Sequence, residues 1–160
     1  MSDAVAVAAY PTVGERAPDF RVPADDGAEV SLDSLAGRRF VLYFYPEDDT
    51  PGCTTQACGL RDEFAGLRHL DIEVFGISPD SVASHARFRK KYALPFRLLA
   101  DAGHRVADTF GVWVPKTSRG RTYMGIERTT FVIGPDGRVE HVFPRVRPAE
   151  HAGLLLAALG

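Results

Sequence analysis

The sequence predicts an α/β fold, a mixed central sheet flanked by helices on both faces, with extra N-terminal strands. Three observations carry this. Arg39–Tyr45 and Ile72–Ser78 are apolar and aromatic runs of strand length, the pattern of strands buried on both faces. Each is followed by a segment with helical signals. Late in the chain, two strand-like runs flank Gly134-Pro135-Asp136-Gly137, whose proline and glycine suit a tight turn between antiparallel strands.

Taken in order, the opening segment to Pro18 mixes small residues with prolines, and residues 1–14 are expected to form a loosely ordered lead-in. Short strands at Asp19–Val22 and Ala28–Ser31 flank a turn marked by Asp25, Asp26 and Gly27. The strand Arg39–Tyr45 stops at Pro46. From Cys53 onward, Ala57, Leu60, Phe64 and Leu67 recur at spacings of three and four, one face of a helix. After Ile72–Ser78, either Asp80 or Ser81 caps a helix that runs to about Tyr92 and is closed by Pro95. Phe96–Ala100 reads as a fourth strand, Arg105–Phe110 as a short helix and Val114–Gly120 as irregular. Arg128–Ile133 and Arg138–Phe143 form the hairpin. Pro148–Leu159, with its proline start and leucine-alanine content, reads as a terminal helix.

Composition narrows the function. At 160 residues and 45% hydrophobic content the chain suits one domain over 1–160 with a sizeable core. A formal net charge of −2 with scattered basic residues argues against nucleic acid as a partner. Nothing has the length of a membrane span, and the apolar run Ala4–Ala9 is too short for a signal-peptide core, so a cytoplasmic protein is expected. The five histidines are dispersed without zinc-site spacing and read as structural or solvent-facing. Trp113 and Phe110 suit either a pocket mouth or the core, and Arg87, Arg89, Lys90 and Lys91 either a solvated helix face or a docking patch for an acidic partner. With 2 cysteines, Cys53 and Cys58, the chain has too few for a stapled secreted scaffold. The thiols are expected to do chemistry.

A thiolate, not a thiol, is the working nucleophile, so a reactive cysteine needs surroundings that favour the anion. Cys53 follows the loop Pro46-Glu47-Asp48-Asp49-Thr50-Pro51-Gly52 and opens a helix, where unpaired N–H groups and the dipole do this. Pro51 and Gly52 bring backbone close to bound oxygen atoms, Thr50 offers a hydroxyl either for them or as a helix cap, and Pro46 shields the pocket from water. Glu47, Asp48 and Asp49 would oppose a thiolate if they faced it. A cation must therefore come from elsewhere. Arg128, within Gly125-Ile126-Glu127-Arg128-Thr129-Thr130-Phe131, is the candidate, against the plainer role of pairing with Glu127 or another surface acid.

Pro46, Thr50 and Cys53 match the Pro-x-x-x-Thr-x-x-Cys motif of peroxiredoxins, within a run from Tyr43 to Cys58, and the resemblance extends over nearly the whole chain. Cys58 and the segment Tyr123-Met124-Gly125-Ile126-Glu127-Arg128 resemble the peroxiredoxin Q subfamily, also called bacterioferritin comigratory protein. The resemblance implies a thioredoxin-like fold and reduction of hydrogen peroxide and organic hydroperoxides. Cys53 would be the peroxidatic residue, Cys58 the resolving one, Thr50 and Arg128 partners in catalysis, and Pro46 the cover. It further implies recycling by thioredoxin or a glutaredoxin, no metal, flavin or haem, and a monomer. The Val114–Arg121 stretch does not align confidently with the family. A Cys-x-x-Cys disulfide reductase is disfavoured by the four residues between the cysteines, and a zinc module by the lack of further ligands.

The spacing carries a physical consequence. Five steps of an ideal helix separate two Cα atoms by roughly 8 to 9 Å and about 140° around the axis. A disulfide needs less than about 7 Å. The helix is therefore expected to unravel before Cys53 and Cys58 bridge, helped by Gly59 and by the position of Cys58 off the apolar stripe.

Overall fold

The computed structural model describes residues 10–160. A ribbon of β1 (Arg21–Pro23) and β2 (Glu29–Ser31) precedes β3 (Arg39–Phe44). Helices α1 (Pro51–Asp62) and α2 (Phe64–His69) lead to β4 (Ile72–Ser78), and α3 (Val82–Tyr92) leads to β5 (Arg97–Ala100). After α4 (Arg105–Thr109) come β6 (Trp113–Ser118), β7 (Arg121–Ile126), β8 (Thr130–Ile133), β9 (Val139–Phe143) and, beyond a 3-10 turn at Pro148–Glu150, α5 (His151–Leu159). The central sheet has 5 strands in the order β5-β4-β3-β8-β9. β3, β4 and β5 are parallel, while β8 and β9 run antiparallel, giving the mixed sheet expected.

Alternation along β3 divides the interior in two. Phe40, Leu42 and Phe44 point to a core shared with Phe75, Ile77, Phe110 and Phe131, covered by α4, the β1–β2 ribbon and the N-terminal segment. Val41 and Tyr43 point the other way, against Cys53, Ala57 and Leu60 of α1, Leu67 of α2, Phe88 of α3 and Leu155 of α5. The active-site helix thus rests on the second core.

Several sequence expectations hold with small shifts at their ends. Ser81, not Asp80, caps α3, its hydroxyl accepting from Ser84 N at 3.1 Å. Gly27 turns with φ +84° between β1 and β2. Phe110 is wholly buried in the first core, and Trp113 is half-buried and stacked on His104. Two readings are corrected. The stripe from Ala57 to Leu67 belongs to two helices, because Glu63 leaves helical geometry at ψ 7°. Val114–Gly120 is not irregular: it belongs to a hairpin of β6 and β7 closed by Arg119 and Gly120, both at positive φ, the conformation of a two-residue primed turn. The lead-in from residue 10 is fastened to the hairpin edge: Gly14 N donates to Val139 O at 2.8 Å, Ala17 N to Gly137 O at 2.8 Å, and Tyr10 packs edge-on against Phe131. These bonds, with Val139 N donating to Glu15 O at 2.9 Å, pair the start of β9 on its outer edge. Residues 1–9 of the expected lead-in lie outside the described residues.

Candidate active site

The sheet register assembles the site. β3 ends at Phe44 and the chain turns through residues 45–50 into α1. β8 pairs with β3 at Tyr43↔Thr130, and Phe44 N donates to Thr129 O at 2.9 Å. Arg128 is therefore level with the point where the chain leaves β3. Pro51 occupies the first position of α1, where its missing N–H costs nothing, and Thr50 is the N-cap. Cys53 follows in the first turn, facing inward at 2% exposure.

Arg128 Nη1 donates to Cys53 Sγ at 3.3 Å and to Gln56 Oε1 at 2.7 Å. A permanent cation and an N–H donor thus face the sulfur, the arrangement a sulfur anion needs. Gly52 makes room for it: a Cβ there would stand 3.2 Å from Arg128 Nη2 and 3.5 Å from Pro148 Cγ. Lys116, half-buried on β6, is also in electrostatic reach. Burial pushes its ammonium down, Arg128 pushes it further, and Cys53 pulls it back up.

The loop carboxylates, a difficulty on paper, turn away from Cys53. Asp48 accepts from Tyr45 Oη at 2.6 Å and Ser84 Oγ at 2.7 Å, and meets His85 Nδ1 at 2.8 Å. Asp49 accepts from Lys91 Nζ at 2.6 Å and Tyr92 Oη at 2.8 Å, and Glu47 is exposed. The basic face of α3 is thus partly engaged, with Arg89 paired to Asp25 at 3.0 Å. Asp48, Asp80 and His85 place donor atoms within 4.8 Å of one another. Their hydrogen bonds reach Tyr45, Ser78, Ser84 and Leu99 O, so they form a polar clasp between the loop and α3.

Thr50 is not a side-chain cap. Its hydroxyl donates to Glu47 O at 2.9 Å, which leaves its lone pairs free to accept. Pro46 is half-buried in the loop and Pro51 is exposed. Cys58 is half-buried on the same unbroken helix as Cys53, and both thiols are free.

Two residues that sequence reasoning missed complete the interior. Gln56 and His151 are fully buried, with Gln56 Nε2 3.0 Å from His151 Nδ1 and His151 Nε2 2.8 Å from Thr130 Oγ1. Burial, then the nearby Arg128, pushes His151 down to about 3, so the ring is neutral at ordinary pH. Gln56 was accessible from the pattern, since a polar residue three positions after Cys53 falls on its buried face. Nothing local connects either residue to His151, nearly a hundred positions later. Beneath them Tyr43 is wholly buried with no hydrogen-bond partner for its hydroxyl among the described residues, and burial, then Cys53, raises it well above its ordinary value.

A mixed sheet with a buried cysteine at a helix start, an arginine on its sulfur and a second thiol on the same helix defines a thiol-based oxidoreductase of thioredoxin-like fold. The AhpC/TSA family model matches residues 13–142, and the chain belongs to that family. It is 47% identical over 147 residues to a putative peroxiredoxin bcp of Coxiella burnetii, covering 92% of this chain and 97% of that one. It is 44% identical to the peroxiredoxin Bcp of Bacillus subtilis, covering 92% and 94%. Among solved structures, peroxiredoxin Q of Xanthomonas campestris superposes with TM-score 0.83 at 35% identity, covering 88% of this chain and 89% of that one. Another structure of the bacterioferritin comigratory protein of that organism is described for its alkyl peroxide reduction activity. The chain is a peroxiredoxin, a thiol peroxidase.

Proposed function

We propose that Cys53 is the peroxidatic residue and Cys58 the resolving one, in a cycle that reduces hydrogen peroxide and organic hydroperoxides. Cys53 thiolate attacks one peroxide oxygen, the O–O bond breaks, and water or an alcohol leaves after taking a proton. The sulfur is oxidised by two electrons to a sulfenic acid. Cys58 then attacks that sulfur, expelling water and forming the Cys53–Cys58 disulfide. A dithiol protein, thioredoxin or a glutaredoxin, returns both thiols by exchange and leaves as a disulfide, so electrons balance with no metal, flavin or haem.

The observation that carries this reading is the 3.3 Å contact from Arg128 Nη1 to Cys53 Sγ at a helix start that also bears Cys58. In the encounter Arg128 holds the peroxide oxygens beside the sulfur, and Thr50, its proton given to Glu47 O, accepts from the hydroperoxide O–H. Gly52 and Cys53 lie in the first turn of α1, whose unpaired N–H groups and dipole favour the anion, and in this reading Pro46 and Pro51 border the peroxide pocket. The alkyl peroxide activity described for the Xanthomonas campestris relative supports organic hydroperoxides as substrates. One chain supplies the thiolate, the guanidinium and the resolving thiol, which suits a monomer. The need for a dithiol reductant suits the reducing cytoplasm.

Hydrogen peroxide consumption coupled to thioredoxin, thioredoxin reductase and NADPH tests this cycle. Turnover is expected in the wild type and lost in both Cys53→Ser and Cys58→Ser. Full turnover in Cys53→Ser overturns the assignment.

A further inference from the structure

Gln56 lies in the stretch of α1 between the two thiols, three residues after Cys53 and two before Cys58. Its side chain is fixed at both ends by groups outside the helix: Oε1 accepts from Arg128 Nη1 at 2.7 Å and Nε2 meets His151 Nδ1 at 3.0 Å. His151 opens α5, and its other nitrogen meets Thr130 Oγ1 at 2.8 Å. One proton arrangement satisfies every contact. The Gln56 amide nitrogen is donor only, so Nδ1 accepts and Nε2–H donates to Thr130. The neutral imidazole required is the form that burial and Arg128 enforce.

A Cys53–Cys58 bridge requires the turns between the thiols to unwind, and unwinding carries the Gln56 backbone away from α5. The Gln56–His151 bond must then break. Its loss leaves the buried acceptor on His151 without its partner, and Arg128 loses the carboxamide that orients it. The same contact therefore favours the peroxide step and opposes the resolving step.

We propose that His151, acting through Gln56, is a positioning residue that keeps the first turns of α1 wound for attack on peroxide and sets the rate at which they open for Cys58. This inference rests on the two-cysteine cycle proposed above. His151 does not touch the sulfur, so its substitution acts on the two steps in opposite directions. Loss of the Gln56 contact slows sulfenic acid formation and speeds disulfide formation.

Rapid-quench mass spectrometry of reduced protein mixed with hydrogen peroxide separates the steps, as gain of one oxygen followed by loss of water. Three variants part the two hydrogen bonds. His151→Asn keeps an acceptor at the position of Nδ1 and thus the Gln56 contact. His151→Gln keeps only a donor towards Thr130, and His151→Leu keeps neither. Leu and Gln variants are expected to form the disulfide about five-fold faster than wild type, the effect of one net hydrogen bond, while Asn stays near wild type. Equal resolving rates in all three, or rates that follow thermal stability irrespective of which contact is kept, overturn the latch. A wild type that halts at the sulfenic acid instead overturns the two-cysteine cycle itself. Should the Leu variant not fold, Thr130→Val removes the outer support of His151 in a near-isosteric way. It is expected to raise the resolving rate about two-fold, and an unchanged rate counts against the proposal.

Discussion

Arg128 and Gly52 act as a pair at the sulfur. Replacing Arg128 by methionine removes a charged donor 3.3 Å from Sγ while keeping much of the side-chain bulk, and peroxide oxidation of Cys53 is expected to slow about 10- to 100-fold. Stopped-flow rates with and without the substitution check this, and an unchanged rate would remove Arg128 from the chemistry. Gly52→Ala reaches the same group from the other side, since the new methyl would meet Nη2 at 3.2 Å. Helix propensity favours alanine here, so the protein is expected to hold its melting temperature while its oxidation rate falls about ten-fold. A drop in both together would mean misfolding rather than displacement of the guanidinium. The meeting of Arg128 with Cys53 was legible because both residues fall on segments that resemble a family. Gln56 carried a weak local sign in its spacing from Cys53. His151 carried none, because a hydrogen bond between positions so far apart leaves no periodicity to find.

The element that matters most is α1, which the proposed cycle needs wound in one step and unwound in the next. Gly59 lies one residue past Cys58, and a Cβ there would meet nothing within 4 Å. Gly59→Ala should therefore stabilise the wound helix by about 1 kcal/mol and slow disulfide formation about five-fold, leaving sulfenic acid formation unchanged. Quenched time courses measure both, and faster resolution in this variant would contradict helix opening as the gate. Elements with strong periodicity or an abrupt stop were legible: β4 was located residue for residue, and Pro95 correctly marked the region after α3. The β6–β7 hairpin was obscured because Pro115 lies within a strand and its turn begins with Arg119, not with asparagine or glycine. The helix break at Glu63 was hidden because α2 resumes at Phe64 and keeps the apolar stripe in phase. The bonds of Gly14 and Ala17 to the hairpin edge are backbone bonds, to which side-chain composition is blind.

Across the whole molecule, the sheet divides a structural core from a working one. The working core places α5 against α1, with Leu155 in one cluster with Cys53 and Leu60 and His151 buried against Gln56. This has a consequence for stability. His151 is held neutral down to about 3 in the folded protein but titrates near its ordinary 6.5 when unfolded. Its folded value is depressed, so its contribution is complete above 6.5 and is lost progressively as pH falls towards 3. Over that window it costs up to about 1.4 kcal/mol per pH unit. Urea midpoints between pH 7 and 4 should therefore fall more steeply in the wild type than in His151→Asn, and parallel curves would contradict a buried neutral histidine. The division of labour between the thiols is tested most directly by intact mass after one equivalent of hydrogen peroxide, with a sulfenic-acid trap present. Wild type is expected to lose two hydrogens, Cys58→Ser to take up the trap at Cys53, and Cys53→Ser to remain unchanged. Oxidation of Cys58 in Cys53→Ser as fast as the wild type reacts would contradict Cys53 as the peroxide-reactive thiol.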